Sequence, residues 1–258
     1  MTGRLAGEVA IVTGSTSGLG VEIARLFAEH GAATVVTGRN AARGAAVVRQ
    51  IEQAGGRCMF VAADLGEPDQ RRAVVDEARA AFGPVSVLVN NAVSPTAIAA
   101  DGPVADTDDA LWEEMLRVNL IGVAAMCRLV IPSMVEAGRG SIVNVSSRAA
   151  ERGSRGLSAY TASKGGMNAL TRSITVDYAD RGVRCNTVQP GYILNDNRDH
   201  GADEVLDRFR GMHLTRLATA RDVAFAALFL ASSEAEVISG VTLQVDGGSS
   251  ASRGLTLG

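Results

Sequence analysis

Two side chains in the stretch YTASK, Tyr160 and Lys164, have the types and spacing that acid–base chemistry requires. They stand four positions apart, so on a helix they share one face and reach a common neighbour. Lys164 is the only lysine among the 25 Lys and Arg residues of the chain. An ordinary helix pair would be expected to use arginine here as well, so the lone ammonium favours a chemical role.

A neighbouring ammonium is strong enough to turn a phenol into an acid–base group near neutral pH. Free tyrosine has a pKa of about 10, and lowering it by about 3 units takes about 4 kcal/mol. A cation about 4 Å away, at an effective dielectric constant of about 20, supplies about that much. A nearby helix N-terminus adds up to about 1 kcal/mol. Lysine suits this task because its compact ammonium can approach two hydroxyl groups at once, whereas the guanidinium of arginine is broad and holds its donors in a rigid planar fork.

A glycine-rich turn at residues 13–20, TGSTSGLG, has the composition of a dinucleotide-phosphate loop. It follows the predicted strand VAIVT and precedes the helical pattern VEIARLFAEH. Gly14, Gly18 and Gly20 permit a sharp turn, close approach to a pyrophosphate and tight packing of helix on strand. A plain tight turn is the structural alternative. A P-loop nucleoside triphosphatase is disfavoured because it needs a GK pair followed by Ser or Thr, and no lysine stands here.

The end of the second predicted strand, TGRN, bears on which dinucleotide binds. An enzyme selective for NAD places an acid about 20 residues beyond the glycines, whereas one that uses NADP offers an arginine to the 2′-phosphate. Arg39 stands here beside Asn40, with no acid. We therefore expect NADP to be preferred, with NAD as the alternative cofactor. A surface arginine in an arginine-rich protein is the structural alternative.

Short β-branched runs alternate with amphipathic stretches along the chain, which is typical of a parallel sheet covered by helices. The predicted strands are 9–13, 33–37, 58–62, 85–90, 141–146, 183–188 and 241–245. The predicted helices are 19–30, 41–54, 68–82, 108–137, 158–181 and 220–231. We expect an α/β fold in a single domain, residues 1–258, with a doubly wound, mostly parallel, seven-stranded Rossmann sheet and helices on both faces.

The segment 191–216 is polar and has no clear period, and it follows a predicted strand directly. Long irregular segments in compact domains are often lids or binding loops. We expect a substrate lid at 192–216. A solvated surface helix is the alternative.

Composition argues against several other classes of function. A net charge of -3 and a pI near 5.7 give no basic field for nucleic acid. The longest apolar run, 223–231, is short for a membrane span, and the N-terminus lacks a signal core. The three cysteines and three histidines have no metal-ligand spacing. We expect a cytoplasmic protein with no metal and with neither nucleic acid nor membrane as a partner.

Several motifs occur together in a familiar order and spacing. They are TGSTSGLG, NNAV (90–93), the asparagine of RVNL (Asn119), IVNVSS (142–147), YTASK and NTVQPG (186–191). With them the chain resembles the single-domain branch of the short-chain dehydrogenase/reductase family, from the first strand to VDGG (245–248). The resemblance implies hydride transfer between nicotinamide C4 and a carbonyl or secondary alcohol carbon.

The resemblance also implies roles for individual residues. Tyr160 looks like the general acid of reduction and base of oxidation, and Lys164 like its partner and the ligand of the nicotinamide ribose. Ser147, thirteen residues before the tyrosine, resembles the serine that holds the substrate oxygen. Asn119 resembles the helix asparagine that supports a water relay to the lysine. The implied cofactor contacts are Gly14, Ser15, Thr16, Ser17, Gly18, Leu19, Gly20, Arg39, Asn40, Asp64, Leu65, Asn91, Ala92, Tyr160, Lys164, Pro190, Gly191, Ile193 and Asn195.

The sequence departs from the family pattern at two positions. Val93 replaces the glycine that usually ends NNAG, which makes close backbone approach less free. Asn195 replaces an expected threonine, although its amide can still hydrogen-bond a carboxamide.

Gly165 and Gly166 lie inside the predicted catalytic helix, where each lowers helix stability by about 1 kcal/mol relative to alanine, so we expect close packing there. The resemblance suggests a homodimer or homotetramer built partly on this helix.

The substrate is left open at this stage. We expect a small-molecule carbonyl or alcohol, as in 3-oxoacyl-carrier reductases or alcohol and ketone dehydrogenases. Arg148, Arg152 and Arg155 could attract an anionic substrate, or could be ordinary surface arginines. A non-catalytic dinucleotide-binding regulator is an alternative that would not need the Ser147, Tyr160 and Lys164 set. A sugar-nucleotide epimerase is another, but it usually carries a larger C-terminal domain.

Overall fold

The computed structural model describes residues 3–194 and 203–251. The strands in these residues are β1 (Val9–Val12), β2 (Ala33–Gly38), β3 (Arg57–Ala62), β4 (Val87–Asn90), β5 (Gly140–Val145), β6 (Val183–Pro190), β7 (Ile193–Leu194), β8 (Ala218–Thr219) and β9 (Thr242–Val245). The helices are α1 (Gly18–Glu29), α2 (Ala41–Gln53), α3 (Pro68–Phe82), α4 (Pro95–Ala100), α5 (Asp109–Leu116), α6 (Val123–Glu136), α7 (Ser158–Tyr178), α8 (Asp203–Met212) and α9 (Ala220–Ala231).

Seven of the described strands form one sheet in the order β3-β2-β1-β4-β5-β6-β9. Each neighbouring pair in it is parallel. The strand order reverses beside β1, because the chain runs outward through β2 and β3 and then crosses back to place β4 on the other side. Such a switch point opens a crevice at the carboxyl ends of the strands, where α/β folds bind ligands. The predicted seven-stranded, doubly wound sheet is confirmed.

Helices bury both faces of this sheet, as the apolar strands predict. Ala10 and Val12 pack into a core with residues of α1 and α9, whereas Val9 and Ile11 pack into a second core with residues of α3 and α6. Because successive strand residues point to opposite faces, a central strand covered by helices on both sides is mostly apolar along its length. This accounts for the unbroken apolar runs in the sequence.

One long helical segment, Asp109–Glu136, is apolar and long enough to cross a membrane by length and composition alone, with a mean hydropathy of 1.8 over its best window. It comprises α5, a π-helical turn at Arg117–Gly122, and α6. More than half of that window, 56%, is buried inside the fold. Its apolar side chains, including Met126 and Val130, pack against the sheet. The segment has the character of a core helix.

One helix, α4, was not predicted from the sequence, and a second, α8, falls where a surface helix was the alternative to a lid. α4 has only six residues, which is too short for an apolar period, although its start has a capping serine, Ser94, followed by proline. α8 lies within the expected lid.

The expected packing of the helix glycines is found at Gly166, where a Cβ would lie 2.9 Å from Leu120, but not at Gly165, where it would meet only the Ala150 carbonyl oxygen at 3.7 Å.

Candidate active site

The carboxyl ends of β1 to β6 border one cleft of about 1090 Å³. Most residues expected at a dinucleotide and substrate site line it: Gly14, Thr16, Ser17, Leu19, Gly20, Arg39, Asn40, Asp64, Leu65, Asn91, Ala92, Ser147, Tyr160, Lys164, Pro190, Gly191 and Ile193. Ser15, Gly18 and Asn119 do not line it. Asn195 lies outside the described residues.

The glycine-rich loop has a shape that side chains would block. Gly14 has a φ of +63°, and a Cβ on it would lie 2.8 Å from the Cα of Ala92. A Cβ on Gly20 would lie 2.4 Å from the Gly14 carbonyl oxygen. α1 begins directly after Ser17, whose side chain makes no capping hydrogen bond. The uncapped N-terminus of α1 therefore borders the cleft, and its backbone amides fit a pyrophosphate.

Hydrogen bonds between β1 and β4 fix this loop. The Thr13 hydroxyl accepts from the backbone amides of Asn91 at 2.9 Å and Ala92 at 3.1 Å. The Asn91 side chain donates to the carbonyls of Thr13 at 2.9 Å and Gly14 at 3.1 Å. Ser15 is fully buried, and its hydroxyl braces the loop by donating to Val12 and accepting from the Thr37 amide. Ser15 and Asn91 thus hold the shape of the loop.

The end of the cleft beside β2 carries two guanidinium groups. Arg39 is largely exposed, and its Nη1 lies 3.8 Å from Oδ2 of Asp64. Asn40 caps α2 by accepting from the backbone amide of Arg43 at 2.9 Å, and the side chain of Arg43 also lines the cleft. Two cations and one carboxylate at this end give a local excess of positive charge that suits a phosphate.

Tyr160 and Lys164 lie one turn apart on α7, and both line the cleft. The Lys164 Nζ is 5.8 Å from the centroid of the Tyr160 ring and donates to the Val145 carbonyl at 2.7 Å. That carbonyl ends β5, so the sheet holds the lysine side chain in place. An ammonium has three donors, and this bond uses one of them.

Burial makes the charge on Lys164 costly. The residue is 1% exposed, and removal from water lowers the pKa of its ammonium to about 7. Near neutral pH the group therefore exchanges protons readily. An anion brought into the cleft would stabilise the charged form and raise this pKa again.

The two adjacent serines after β5 have different surroundings. Ser147 begins a short 3₁₀ turn, where its hydroxyl accepts from the Ala149 amide at 3.2 Å and keeps its own proton for another partner. Ser146 is buried, and its hydroxyl donates to the backbone carbonyl of Lys164 at 3.4 Å. Both serines line the cleft, and the choice of Ser147 over Ser146 stays a prediction.

Asn119 is fully buried in the π-helical turn, which is a common setting for functional residues. Its Oδ1 accepts from the Ser94 backbone amide at 3.1 Å, and its Nδ2 donates to the Ser163 hydroxyl at 3.3 Å. Its described side-chain contacts do not include Lys164. They join α4 to α7.

The described part of the expected lid borders the same cleft. The rings of Tyr192 and Phe209 stack with centroids 3.9 Å apart, and both rings line the cleft together with Met212. Residues 195–202, which belong to the expected lid, lie outside the described residues. Tyr192 and Phe209 fall within the expected lid without having been singled out, and Arg43 was missed by sequence reasoning. Of the three, only Arg43 could have been found from the sequence, because it stands four residues after Arg39, in the first turn of α2.

A comparison with protein families agrees with this geometry. The model described as short chain dehydrogenase matches residues 8–204. The chain belongs to the short-chain dehydrogenase/reductase family.

Relatives of this short-chain dehydrogenase/reductase match nearly its whole length. It is 40% identical to the NADP-dependent (R)-specific alcohol dehydrogenase of Lentilactobacillus kefiri, over 96% of this chain and 98% of that protein. It is also 40% identical to the cis-4-hydroxycyclohexanecarboxylate dehydrogenase of Sinomonas cyclohexanicum, over 93% and 96% of the two chains. A gluconate 5-dehydrogenase from Burkholderia cenocepacia, solved with NADP and tartrate, has a TM-score of 0.88 and 31% identity over 96% and 97%.

These similarities confirm the family, the fold and the class of reaction. This short-chain dehydrogenase/reductase is an NAD(P)-dependent oxidoreductase that transfers a hydride between a nicotinamide dinucleotide and a carbonyl or secondary alcohol carbon. Its glycine loop and uncapped α1 fit that dinucleotide.

Proposed function

We propose that Tyr160, Lys164 and Ser147 carry the proton chemistry of this reaction. The observation that supports the proposal is that all three side chains line one cleft with the glycine loop. The bound nicotinamide would supply or accept the hydride. In reduction, the Tyr160 hydroxyl gives its proton to the substrate oxygen while the Ser147 hydroxyl donates a hydrogen bond to that oxygen. In oxidation, Tyr160 takes the proton from the alcohol.

Lys164 is proposed to stabilise the phenolate form of Tyr160. Its buried ammonium titrates near neutral pH, so a phenolate beside it and a dinucleotide in the cleft both favour the protonated lysine. The Val145 carbonyl keeps one donor occupied and aims the group from the sheet into the cleft. In reduction, Lys164 returns a proton to the phenolate and regains one from solvent, and in oxidation the proton leaves the phenol by the reverse route.

We further propose that NADP(H) is preferred over NAD(H), with Arg39 and Arg43 binding the 2′-phosphate. The double variant Arg39→Ala/Arg43→Ala is expected to raise KM for NADPH by about 10- to 100-fold, because charge-assisted hydrogen bonds are worth about 1.5–3 kcal/mol. KM for NADH should change by less than about 3-fold, since a ribose hydroxyl offers no charge to lose. Steady-state kinetics with both cofactors measure this.

Arg49→Ala is the matched control, because Arg49 is exposed on the same helix and does not line the cleft. It removes one positive charge from α2 outside the cleft and should leave both KM values unchanged. Equal losses with NADPH and NADH in the double variant, or no loss with either, would remove the proposed preference.

For the substrate, we propose a small ketone or secondary alcohol with an apolar body. Apolar residues around Tyr160 line the cleft: Val93, Pro95, Ile98, Leu157, Tyr192, Phe209 and Met212. Of the three arginines before Tyr160, Arg148 donates to the Ser249 hydroxyl and Arg152 to the Ser250 carbonyl, and Arg155 is exposed along the cleft wall. Arg155 is therefore proposed to attract a substrate carboxylate.

A matched pair of ketones tests this charge preference. Arg155→Gln should lower kcat/KM for 4-oxocyclohexanecarboxylate by about 5- to 10-fold, the value of an exposed ion pair of about 1 kcal/mol, and leave cyclohexanone unaffected. Arg152→Gln, on the same loop but not lining the cleft, serves as the control. Equal loss for the two ketones would contradict selection by charge.

We also propose a homodimer or homotetramer in the cytoplasm. Val176 on α7 is 83% exposed and Ile121 is 57% exposed, and Gly165 has free space above it within the chain. A second copy of the chain that covers α7 would account for the exposure of Val176 and Ile121 and for the free space at Gly165. Sedimentation that shows a monomer across micromolar concentrations would refute the assembly.

The test of the function as a whole is a panel of carbonyls and secondary alcohols, assayed by the absorbance of reduced nicotinamide. Turnover is expected with at least one class and should be lost in Tyr160→Phe. Turnover that is unchanged in this variant would refute the assignment of Tyr160.

A further inference from the structure

The short segment Ser94–Gly102, which contains α4, connects two parts of the site. At its first end, the Ser94 amide donates to Asn119 at 3.1 Å. At its other end, the carboxylate of Asp101 reaches the start of the catalytic helix α7. Ile98 and Ala99, between these ends, line the cleft. The segment therefore has a fixed place relative to both Asn119 and Tyr160.

Asp101 caps α7 from a distant point in the sequence. Its Oδ2 accepts from the backbone amide of Tyr160 at 2.8 Å, and its Oδ1 accepts from the amide of Ala159 at 3.2 Å. The carbonyl of the next residue, Gly102, accepts from the Ser158 amide at 3.3 Å. Asp101 also accepts from the Gly102 amide, which holds the carboxylate in one orientation.

The catalytic helix needs this cap because it lacks one of its own. Its N-cap position is Leu157, whose side chain has no hydrogen-bond acceptor and makes no cap. The first amides of a helix have no partner within the helix. Without Asp101 the amides of Ala159 and Tyr160 would lose their acceptor, and the first turn would be free to fray.

The peptide groups on both sides of Tyr160 are held. Its amide donates to Asp101, and its carbonyl accepts from the Ser163 hydroxyl at 2.7 Å. Ser163 in turn accepts from Asn119, which also binds the Ser94 amide. A closed set of contacts thus runs from Asp101 through the Tyr160 backbone and Asn119 back to the segment that carries Asp101.

We propose that Asp101 is a positioning residue that fixes Tyr160 in the cleft and, through its negative charge, sets the pH at which the phenol ionises. The proposal rests on the proposed role of Tyr160. A carboxylate at the N-terminus of α7 opposes a second negative charge nearby, so it disfavours phenolate. Lys164 favours phenolate, and the two charges act on Tyr160 in opposite directions.

Other charged groups around Tyr160 are few in the described part of the chain. On α4 and α5, Tyr160 packs against the apolar cluster that contains Ala97 and Met115. Glu114, the acid of α5 that contacts this segment, accepts from Ser94 and Arg117. On the loop before α7, Arg148 and Arg155 line the cleft, and Glu151 accepts from Gln244. On α8, Asp207 pairs with Arg210. Asp101 is the acid that bonds to the Tyr160 backbone.

Two substitutions separate charge from position. Asp101→Asn keeps the size of the side chain but removes the charge, so the pKa governing alcohol oxidation should fall by roughly 0.3 to 1 pH unit. Its single acceptor oxygen can serve only one of the amides of Ala159 and Tyr160, so kcat should also fall, by less than in Asp101→Ala. Asp101→Ala removes the cap as well, and kcat should fall by about 10- to 100-fold, because small misplacements of a catalytic group have effects of that size. The dissociation constant for NADP⁺ should stay within about 3-fold in both variants, since Asp101 is remote from the glycine loop.

The matched control is Asp108, which caps the next helix, α5, by accepting from the Leu111 amide at 2.9 Å. Asp108→Asn and Asp108→Ala remove a comparable cap without touching α7. They should lower Tm by a similar amount while kcat and the pH profile stay as in the wild type.

An unshifted pH profile in a folded Asp101→Asn variant would overturn the electrostatic part of the proposal. Wild-type kcat in Asp101→Ala would overturn the positioning part, and if that variant does not fold, kcat of Asp101→Asn relative to Asp108→Asn decides instead. These outcomes are distinct from failure of the proposed function, which would appear as full activity in Tyr160→Phe.

Discussion

Replacing Tyr160 with phenylalanine is expected to lower kcat by about 10³-fold or more in both directions, since a positioned general acid contributes about 10²- to 10⁴-fold. The ring remains, so its packing against the cluster of Ala97, Met115 and Ala159 is kept. Dinucleotide binding should change by less than about 3-fold, because the contacts proposed for the phosphates and adenosine lie elsewhere in the cleft. Steady-state kinetics and titration with NADP⁺ measure the two effects separately.

Tyr178→Phe is the control for this substitution. Tyr178 lies at the far end of the same helix, where Arg181 stacks on its ring at 4.5 Å, and it does not line the cleft. Loss of the Tyr178 hydroxyl should leave kcat unchanged. If Tyr160→Phe and Tyr178→Phe had the same activity as the wild type, another group would have to move the proton.

Lys164→Met is expected to produce the second large effect. Removing the ammonium takes away about 4 kcal/mol of support for the phenolate, which corresponds to a loss in kcat on the order of 10³-fold at neutral pH. Part of that loss should be recovered at high pH, where the phenol ionises without help. Lys164→Arg should not restore activity, because a bulkier, forked group has to fit a site that leaves the lysine 1% exposed.

Lys164→Met should also change how the free energy of unfolding depends on pH. The unfolded chain keeps the lysine proton up to a pKa near 10.5, whereas the folded protein releases it near 7. Between these values the unfolded state binds more protons, so the free energy of unfolding of the wild type rises with pH. Relative to Lys164→Met, the wild type should gain up to about 3 kcal/mol between pH 7 and pH 9, at about 1.4 kcal/mol per pH unit.

Chemical denaturation of both proteins at several pH values measures this difference. Below pH 7 the difference should be constant, because the lysine is protonated in both states and its full burial cost remains. A difference that is flat from pH 6 to pH 9 would mean that Lys164 keeps an ordinary pKa in the fold. It would leave the catalytic role of the residue to be decided by the kinetics.

The sequence sufficed for features that depend on local pattern. The strand of residues 33–38 differs from its predicted extent by one residue, because β-branched runs bounded by glycine mark buried parallel strands clearly. Gly14 was predicted in a turn that only glycine permits, and it has a positive φ there. Tyr160 and Lys164 were predicted to share a helix face because their spacing is local.

Features that join distant segments could not be predicted in this way. Asp101 caps a helix that begins 57 residues later, and nothing in its own neighbourhood indicates that partner. The contacts of Asn119 with Ser94 and Ser163 likewise depend on how α4, the π-helical turn and α7 pack together. The water relay expected from Asn119 to the lysine came from the resemblance alone and stays a prediction.

The most direct test is a measurement of when the Tyr160 phenol ionises. The ultraviolet absorbance of tyrosinate is titrated in the wild type and in Tyr160→Phe, both with NADP⁺ bound. The difference between the two titrations isolates Tyr160 from the other two tyrosines of the chain. We expect the difference spectrum to titrate about 2 to 3 pH units below the ordinary tyrosine pKa of about 10, and to move back toward 10 in Lys164→Met. A difference spectrum that titrates near 10 in the wild type and does not move in Lys164→Met would contradict the proposed catalytic pair.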